Sequence, residues 1–391
     1  MMSNRDYIYF DHSATTPMHP EAIAAYAEAA SLGPSNPSSL HAAGRAARSR
    51  VTAARDKLAA ILRCDPAELV FTGGGTESDN AALFGAALSQ RGRDPKRTRI
   101  VTTAIEHHAV LNACEKLAED GFELVLLPVD ASGSVSADDA EAAIGETTAV
   151  VSIMAANNEV GTLQPIEAIG RIARERGALL HVDAVQAFGY ETLDLSELPV
   201  DLLSLSAHKV NGPQGVGALF IRKGTPFEAF LRGGSQERGR RAGTENVAGI
   251  AAFARAAELA AAEREERRSH ARAVREALLA GLAAELGPDA FVVNGPKEES
   301  RRVPHILNVS FPGLSNETML MNLDLAGVAA SAGSACTAGS LQPSHVLTAM
   351  GLAEDICESA IRFSFGLGNN IEQAEKTAKI VATIAKRLRN R

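Results

Sequence analysis

The chain has 391 residues, with 39 Lys plus Arg against 47 Asp plus Glu and a formal charge of −8, a balance that argues against a nucleic-acid partner. Its 46% hydrophobic and 22% charged residues are those of an ordinary globular protein, long enough for two domains that each bury a core. With no Trp, 13 Phe and 4 Tyr, it has little to offer base stacking or an aromatic-lined sugar cleft, so packing must rest on aliphatic side chains.

The opening MMSNRDYIYFDHSATTP lacks the basic, apolar and small-residue succession of a secretory signal. No apolar run approaches the roughly 18 residues of a membrane span, so no membrane partner is expected. Cys64, Cys114, Cys336 and Cys357 stand far apart and form no CxxC pair, which speaks against a zinc knuckle, a disulfide framework or a thioredoxin motif. The expectation is a reduced cytoplasmic protein without a resident metal. Each cysteine, taken alone, reads as a small buried hydrophobe.

Along the chain, short β-rich runs alternate with helical patterns: LVFT, RIVTT, ELVLLPV, AVVSIM, LLHVDAV, DLLSLSA and VGALFIR. This rhythm predicts an α/β fold with a mostly parallel sheet covered by helices on both faces. Ligands of such sheets bind beyond the carboxyl ends of the strands. LVFT runs into Gly73-Gly74-Gly75-Thr76 and then a helical stretch. Lacking both the Walker Gly-Lys-Ser/Thr and a GxGxxG pattern, that turn reads by itself either as a phosphate cradle or as a plain tight turn. RIVTT leads to His107, AVVSIM to Asn157 and Asn158, LLHVDAV to Asp183 and Gln186, and DLLSLSA to Ser206, His208 and Lys209. Singly, the histidine reads as structural and the lysine as a solvated charge. Together, an amine, an acid, a flat ring and an anion cradle at strand ends are what a pyridoxal phosphate site requires.

Residues 247–286 are Ala-rich and helical, with the charge run EREERR as a solvated face. Gly287-Pro288 ends this stretch and the strand-like runs FVVN, HILNVSF and IRFSF follow, so a second, smaller domain is expected to begin within the long helix. In AASAGSACTAGS, residues 329–340, every side chain is small.

The motifs DHSATTP, SNPSSLHAAGR, FTGGGTESDN, EHHAV, NNEVGT, HVDAVQ, SAHK, GGSQERGRRAGTENV, SAGSACTAGSLQPSHVL and IRFSFG occur in that order over nearly the whole chain. In them the sequence resembles the cysteine desulfurases, class V aminotransferase-family members of the fold-type I pyridoxal phosphate enzymes. The subtype most similar is the one that supplies iron–sulfur assembly, including nitrogenase maturation. The resemblance implies a large cofactor domain, residues 18–262, with a mostly parallel seven-stranded sheet. It implies a smaller α+β domain from residues 1–17 with 263–391, carrying a mobile cysteine loop at about 329–345.

Position by position, the resemblance makes Lys209 the lysine that carries pyridoxal 5'-phosphate and Asp183 the partner of its pyridine nitrogen. Gln186 would bond the phenolic oxygen, His107 would stack on the ring and move protons, and Gly75, Thr76, Ser206 and His208 would hold the phosphate. Thr244 would reach the phosphate of a neighbouring subunit, implying a homodimer. Asn158, which also touches the cofactor, and Arg362 would hold the substrate carboxylate. Cys336 would form the persulfide, with His107 expected to help generate its thiolate, and it could also contact a transient iron–sulfur cluster. The implied activity turns L-cysteine into L-alanine and passes sulfur to an acceptor such as an iron–sulfur scaffold protein. Selenocysteine lyase, an aminotransferase and a catalytically silent assembly subunit remain open as other readings. Ala207, Gly73 and Ser235 depart from the family pattern, the first adding a methyl expected beside the phosphate and the lysine.

Overall fold

The computed structural model describes residues 7–333 and 343–390. Its strands are β1 (Ile8–Tyr9), β2 (Leu69–Thr72), β3 (Arg99–Thr103), β4 (Glu123–Leu127), β5 (Thr148–Met154), β6 (Leu179–Asp183), β7 (Leu202–Ser206), β8 (Gly217–Ile221), β9 (Val292–Asn294), β10 (Ile306–Ser310), β11 (Val328–Ala329) and β12 (Ala360–Ser364). Seven of them form one sheet in the order β2-β8-β7-β6-β5-β3-β4. The pairs from β7 through β4 are parallel, while β8 runs antiparallel to both β2 and β7. Every residue of β5, TAVVSIM, is buried, as a parallel strand covered on both faces must be. The run ELVLLPV ends as a strand at Leu127 because Pro128 has no N–H to give the ladder.

Apolar side chains from the helices Ala42–Leu62 and Val247–Ala262 cover one face of this sheet, and those of Gly75–Arg93 and His108–Glu119 cover the other. A further core joins Ile8 and Phe10 to side chains of β10, β12 and the helices Arg264–Leu286 and Ile371–Arg389. There β12-β10-β9 make an antiparallel sheet and β1 pairs with β11. The stretch expected as one long helix is two, broken at Glu263, whose φ of −97° and ψ of 10° leave the helical region. The N-terminal segment thus lies against the strand that carries Arg362, and Asp11 bridges to Ser364. Among the described residues no helix is long and apolar enough to cross a membrane, and no group of three or more His, Cys, Asp or Glu is placed to hold a metal.

Candidate active site

A cavity of about 190 Å³ opens at the carboxyl ends of the central strands. Of the twelve site residues named from sequence, it gathers Gly75, Thr76, His107, Asn158, Asp183, Gln186, Ser206, His208, Lys209 and Arg362. Thr244 is exposed and lies away from it, and Cys336 with most of its loop lies outside the described residues.

After β2, Gly74 adopts φ 147° and ψ −175°, a conformation open to glycine and to few other residues, and this turn lets Gly75 begin the helix directly. The helix start and the side chains of Thr76, Ser206 and His208 therefore border one corner of the cavity. Uncapped N–H groups and the positive end of a helix make that corner suited to an anion. The helix start lacks a side-chain cap, consistent with donors left for such a group.

At the end of β6, Oδ1 of Asp183 accepts the Val185 N–H at 2.9 Å. Burial raises its carboxyl to about 6, opposed by that hydrogen bond and by the Lys209 charge. Asp79, from the helix after the glycine turn, also lines the cavity and was not singled out in the sequence. It is 1% exposed, its Oδ1 has no hydrogen-bond partner, and burial followed by the Asp183 charge pushes it well above the carboxylate range. Its nearest base, His181 Nε2 at 3.6 Å, is itself held neutral by burial, with a pKa of about 3. The buried Asp183 carboxyl facing the cavity is placed to meet a cation, and a protonated heteroaromatic nitrogen beside it would satisfy that need.

Lys209 follows β7 in a single 3-10 turn, and its Nζ donates to the carbonyls of Ser13 and Ala14, the latter at 2.7 Å. Gln186 Nε2 donates to the same Ser13 carbonyl at 3.0 Å. Thr16 adds two bonds to the His208 carbonyl, at 2.8 Å from Oγ1 and 2.9 Å from N. The segment DHSATTP is thereby one wall of the site. Its signal in the sequence was only the family motif, because nothing local links it to residues nearly 200 positions later.

His107 caps the helix His108–Glu119, its Nδ1 accepting the Ala109 N–H at 3.1 Å. Burial, then the charge of Lys209, lowers its pKa to about 4. Near neutral pH the ring is uncharged with its proton on Nε2. Its Nδ1 is thus engaged by the backbone of its own helix. His208, buried beside Lys209, is likewise lowered to about 4.

Arg362 is 1% exposed, with Nη2 2.9 Å from Asp11 Oδ1 and Nη1 3.0 Å from the Asn158 carbonyl. Its Nε is buried and has no hydrogen-bond partner among the described residues, and the side chain borders the cavity. The departures from the family pattern also find places. Ala207 is wholly buried in the core, where a Cβ on Gly212 would meet its methyl at 2.9 Å, and it is not among the cavity walls. The methyl expected beside the phosphate is thus a core contact. Gly73 donates its N–H to Glu77 Oε2 at 2.8 Å, and Glu77 in turn pairs with Arg241 at 2.8 Å.

This fold and site define a class. The chain belongs to the aminotransferase class-V family, whose model matches residues 8–376. Within that family it stands among the cysteine desulfurases. It is 49% identical over 382 residues to the Bacillus subtilis homologue IscS 1, covering 97% of this chain and 99% of that one. To the cysteine desulfurase IscS of Methanosarcina thermophila it is 44% identical over 383 residues, covering 98% and 93%. A solved NifS-like protein superposes with a TM-score of 0.89 at 36% identity, covering 98% of this chain and all of the other.

Proposed function

We propose that this chain converts L-cysteine to L-alanine with pyridoxal 5'-phosphate and takes the sulfur onto Cys336. The observation that carries the reading is the convergence of Lys209, Asp183, His107 and Arg362 on one cavity next to an anion-binding helix start. When bound, the cofactor takes up the electron pair left as the substrate α-carbon loses its proton. Every remaining task falls to the chain. Asp183 would keep the ring nitrogen protonated, His107 would lie against the ring, Gly75, Thr76, Ser206 and His208 would hold the phosphate, and Gln186 would bond the phenolic oxygen. Arg362, with Asn158, orients the substrate through its carboxylate. The Lys209 amine carries the α-proton, and the Ser13 and Ala14 carbonyls give that amine a place when it is free of the cofactor.

The sulfur step balances without an external oxidant: the Cys336 thiolate attacks the substrate sulfur and forms the S–S bond, the C–S bond breaks with its electron pair passing to carbon, and a thiol proton completes the methyl group, so sulfur is oxidised as carbon is reduced. Cys336 is the acceptor that the family resemblance implies, and the poor thiolates at the other three of the four cysteines support it. Cys64 is half-buried with its thiol pushed to about 12, and burial also raises Cys114 and Cys357. The persulfide then serves an acceptor such as an iron–sulfur scaffold protein.

The working unit is proposed as a homodimer in which exposed Thr244 reaches the partner's phosphate site, with exposed Phe230 and Leu231 on the same stretch of chain. Glu237, in a bidentate pair with Arg55 at 2.6 and 2.8 Å, anchors the segment leading to Thr244. The chain is proposed to divide into residues 18–262 and residues 1–17 with 263–391, each built around its own main core, with Val303 and Ile306 packed into the first and Tyr190 into the second. Incubating the holoenzyme with L-cysteine and a thiol reductant tests the reading: equal amounts of alanine and sulfide are expected, with none from Lys209→Ala. Amino transfer to a keto acid without sulfide would overturn it.

A further inference from the structure

Residues 236–244 are fastened to β2 and to the glycine turn that follows it. At the strand, Glu237 is 5% exposed, and its Oε2 accepts the Phe71 N–H at 2.9 Å as well as Arg55 Nη1 at 2.8 Å. Arg238 Nη2 donates to the Leu69 carbonyl at 2.7 Å. Glu237 and Arg238 both lie in the left-handed region, at φ 46° and 59°, a conformation that costs energy for two successive residues with side chains and that these contacts hold in place.

At the turn, the guanidinium of Arg241 meets Glu77 at two points, Nε to Oε1 at 2.8 Å and Nη2 to Oε2 at 3.2 Å, with the two side chains 23% and 20% exposed. The same Oε2 accepts the Gly73 N–H at 2.8 Å. A Cβ on Gly73 would come within 2.7 Å of that oxygen, so the absence of a side chain there lets the carboxylate close over the turn. Glu77 is the third residue of the helix Gly75–Arg93 and directly follows Thr76, so it brings a negative charge to the helix start read as the phosphate corner. Left unpaired, that charge would repel a phosphate dianion. Paired with a guanidinium fork, the carboxylate can hold the turn without presenting it. Thr244 stands three residues beyond Arg241, and Gln236 Oε1 accepts the Gly243 N–H at 3.1 Å just before it.

We propose that Arg241 and Glu77 are positioning residues for the cofactor phosphate: Arg241 orients and neutralises the Glu77 carboxylate, which holds the Gly73 N–H and so sets the glycine turn and ties to it the segment that ends at Thr244. This rests on the reading of that turn as the phosphate site. Neither residue touches the phosphate, so both act through the shape and charge of the turn.

The test measures how much affinity the phosphate supplies. The chain freed of cofactor is titrated with pyridoxal 5'-phosphate and with pyridoxal, which lacks the phosphate, and binding is followed by absorbance; wild type should bind the first more tightly. In Arg241→Ala, which strips the neutralising charge from Glu77, Kd for pyridoxal 5'-phosphate should rise about 10- to 100-fold while that for pyridoxal stays within about twofold. Glu77→Ala should raise it less, and Glu77→Gln, which keeps an acceptor for Gly73, least. Adding Glu77→Gln to Arg241→Ala should recover at least about threefold of the loss, because it removes the repelling charge that the single variant exposes. An unchanged ratio of the two Kd values in Arg241→Ala would overturn the proposal. So would equal weakening of both compounds, tighter binding of pyridoxal 5'-phosphate by Glu77→Ala, or a further loss in the double variant. Failure of the underlying reading is separate: wild type would itself bind the two compounds equally well.

Discussion

Arg362 and Asp11, 351 positions apart in sequence, form an ion pair at 2.9 Å in which the guanidinium is 1% exposed. The pair, with the Asn158 carbonyl on Nη1, fixes the plane of the fork and leaves Nε as the donor without a partner among the described residues. Arg362→Lys keeps a charge and loses that planar geometry. A lost charge-assisted hydrogen bond is worth about 1.5–3 kcal/mol, so KM for L-cysteine should rise about 10- to 100-fold. Asp11→Asn, which keeps the shape, should raise KM less. Steady-state kinetics separate the two.

The two acids at the floor of the cavity should respond differently to the same isosteric change. Burial and the Asp183 charge push Asp79 well above the carboxylate range and so favour its protonated form, which an amide mimics, so Asp79→Asn should alter alanine formation by no more than about threefold. Asp183 is raised only to about 6 and faces the proposed ring nitrogen, so Asp183→Asn should reduce the rate by about 100-fold or more. Similar losses in both variants would contradict this assignment of charge.

Glu106 supplies a pH dependence of stability. Buried beneath β3, with Oε1 accepting Thr103 Oγ1 at 2.7 Å and the Met154 N–H at 2.9 Å, it is raised by burial from 4.5 to about 8. The native state then binds more protons than the unfolded state between those values. The stabilisation is full below pH 4.5 and is lost as pH rises through 8. His107 and His208, lowered to about 4, act oppositely, but only below their unfolded value near 6.5. Between about pH 6.5 and 8, apo-protein stability should therefore fall, with Glu106 contributing a slope of up to about 1.4 kcal/mol per pH unit and the raised Asp79 acting in the same direction. Glu106→Gln should flatten it in urea unfolding at a series of pH values.

Burial at Cys64, Cys114 and Cys357 predicts slow alkylation of all three in the native enzyme. Iodoacetamide at pH 7 should label Cys336 first, as read by peptide mass mapping. Replacing any of the other three by Ser should leave sulfur transfer intact.

Much of this was legible in the sequence because the seven strand runs and the residues just after them are local signals. Asp183, Ser206 and Lys209 each follow an apolar run that had to be a buried strand, and parallel topology then brings those ends together. Asp11, Ser13 and Ala14 were readable only as part of a family motif. Their work is done through backbone carbonyls and a pair that closes across the whole chain, which no local pattern records. Asp79 looked like an ordinary polar position in a helix, and only burial beneath the cavity distinguishes it. The tautomer of His107 likewise follows from a cap on its own helix and not from its motif.

The most direct measurement is to give the holoenzyme L-cysteine labelled at sulfur, without reductant, and to count alanine formed against labelled sulfur on each cysteine peptide. In the first turnover the account predicts one sulfur on Cys336 for each alanine, and neither product from Lys209→Ala. Alanine formed at the normal rate by Cys336→Ser, or labelled sulfur found first on Cys64, Cys114 or Cys357, would contradict it.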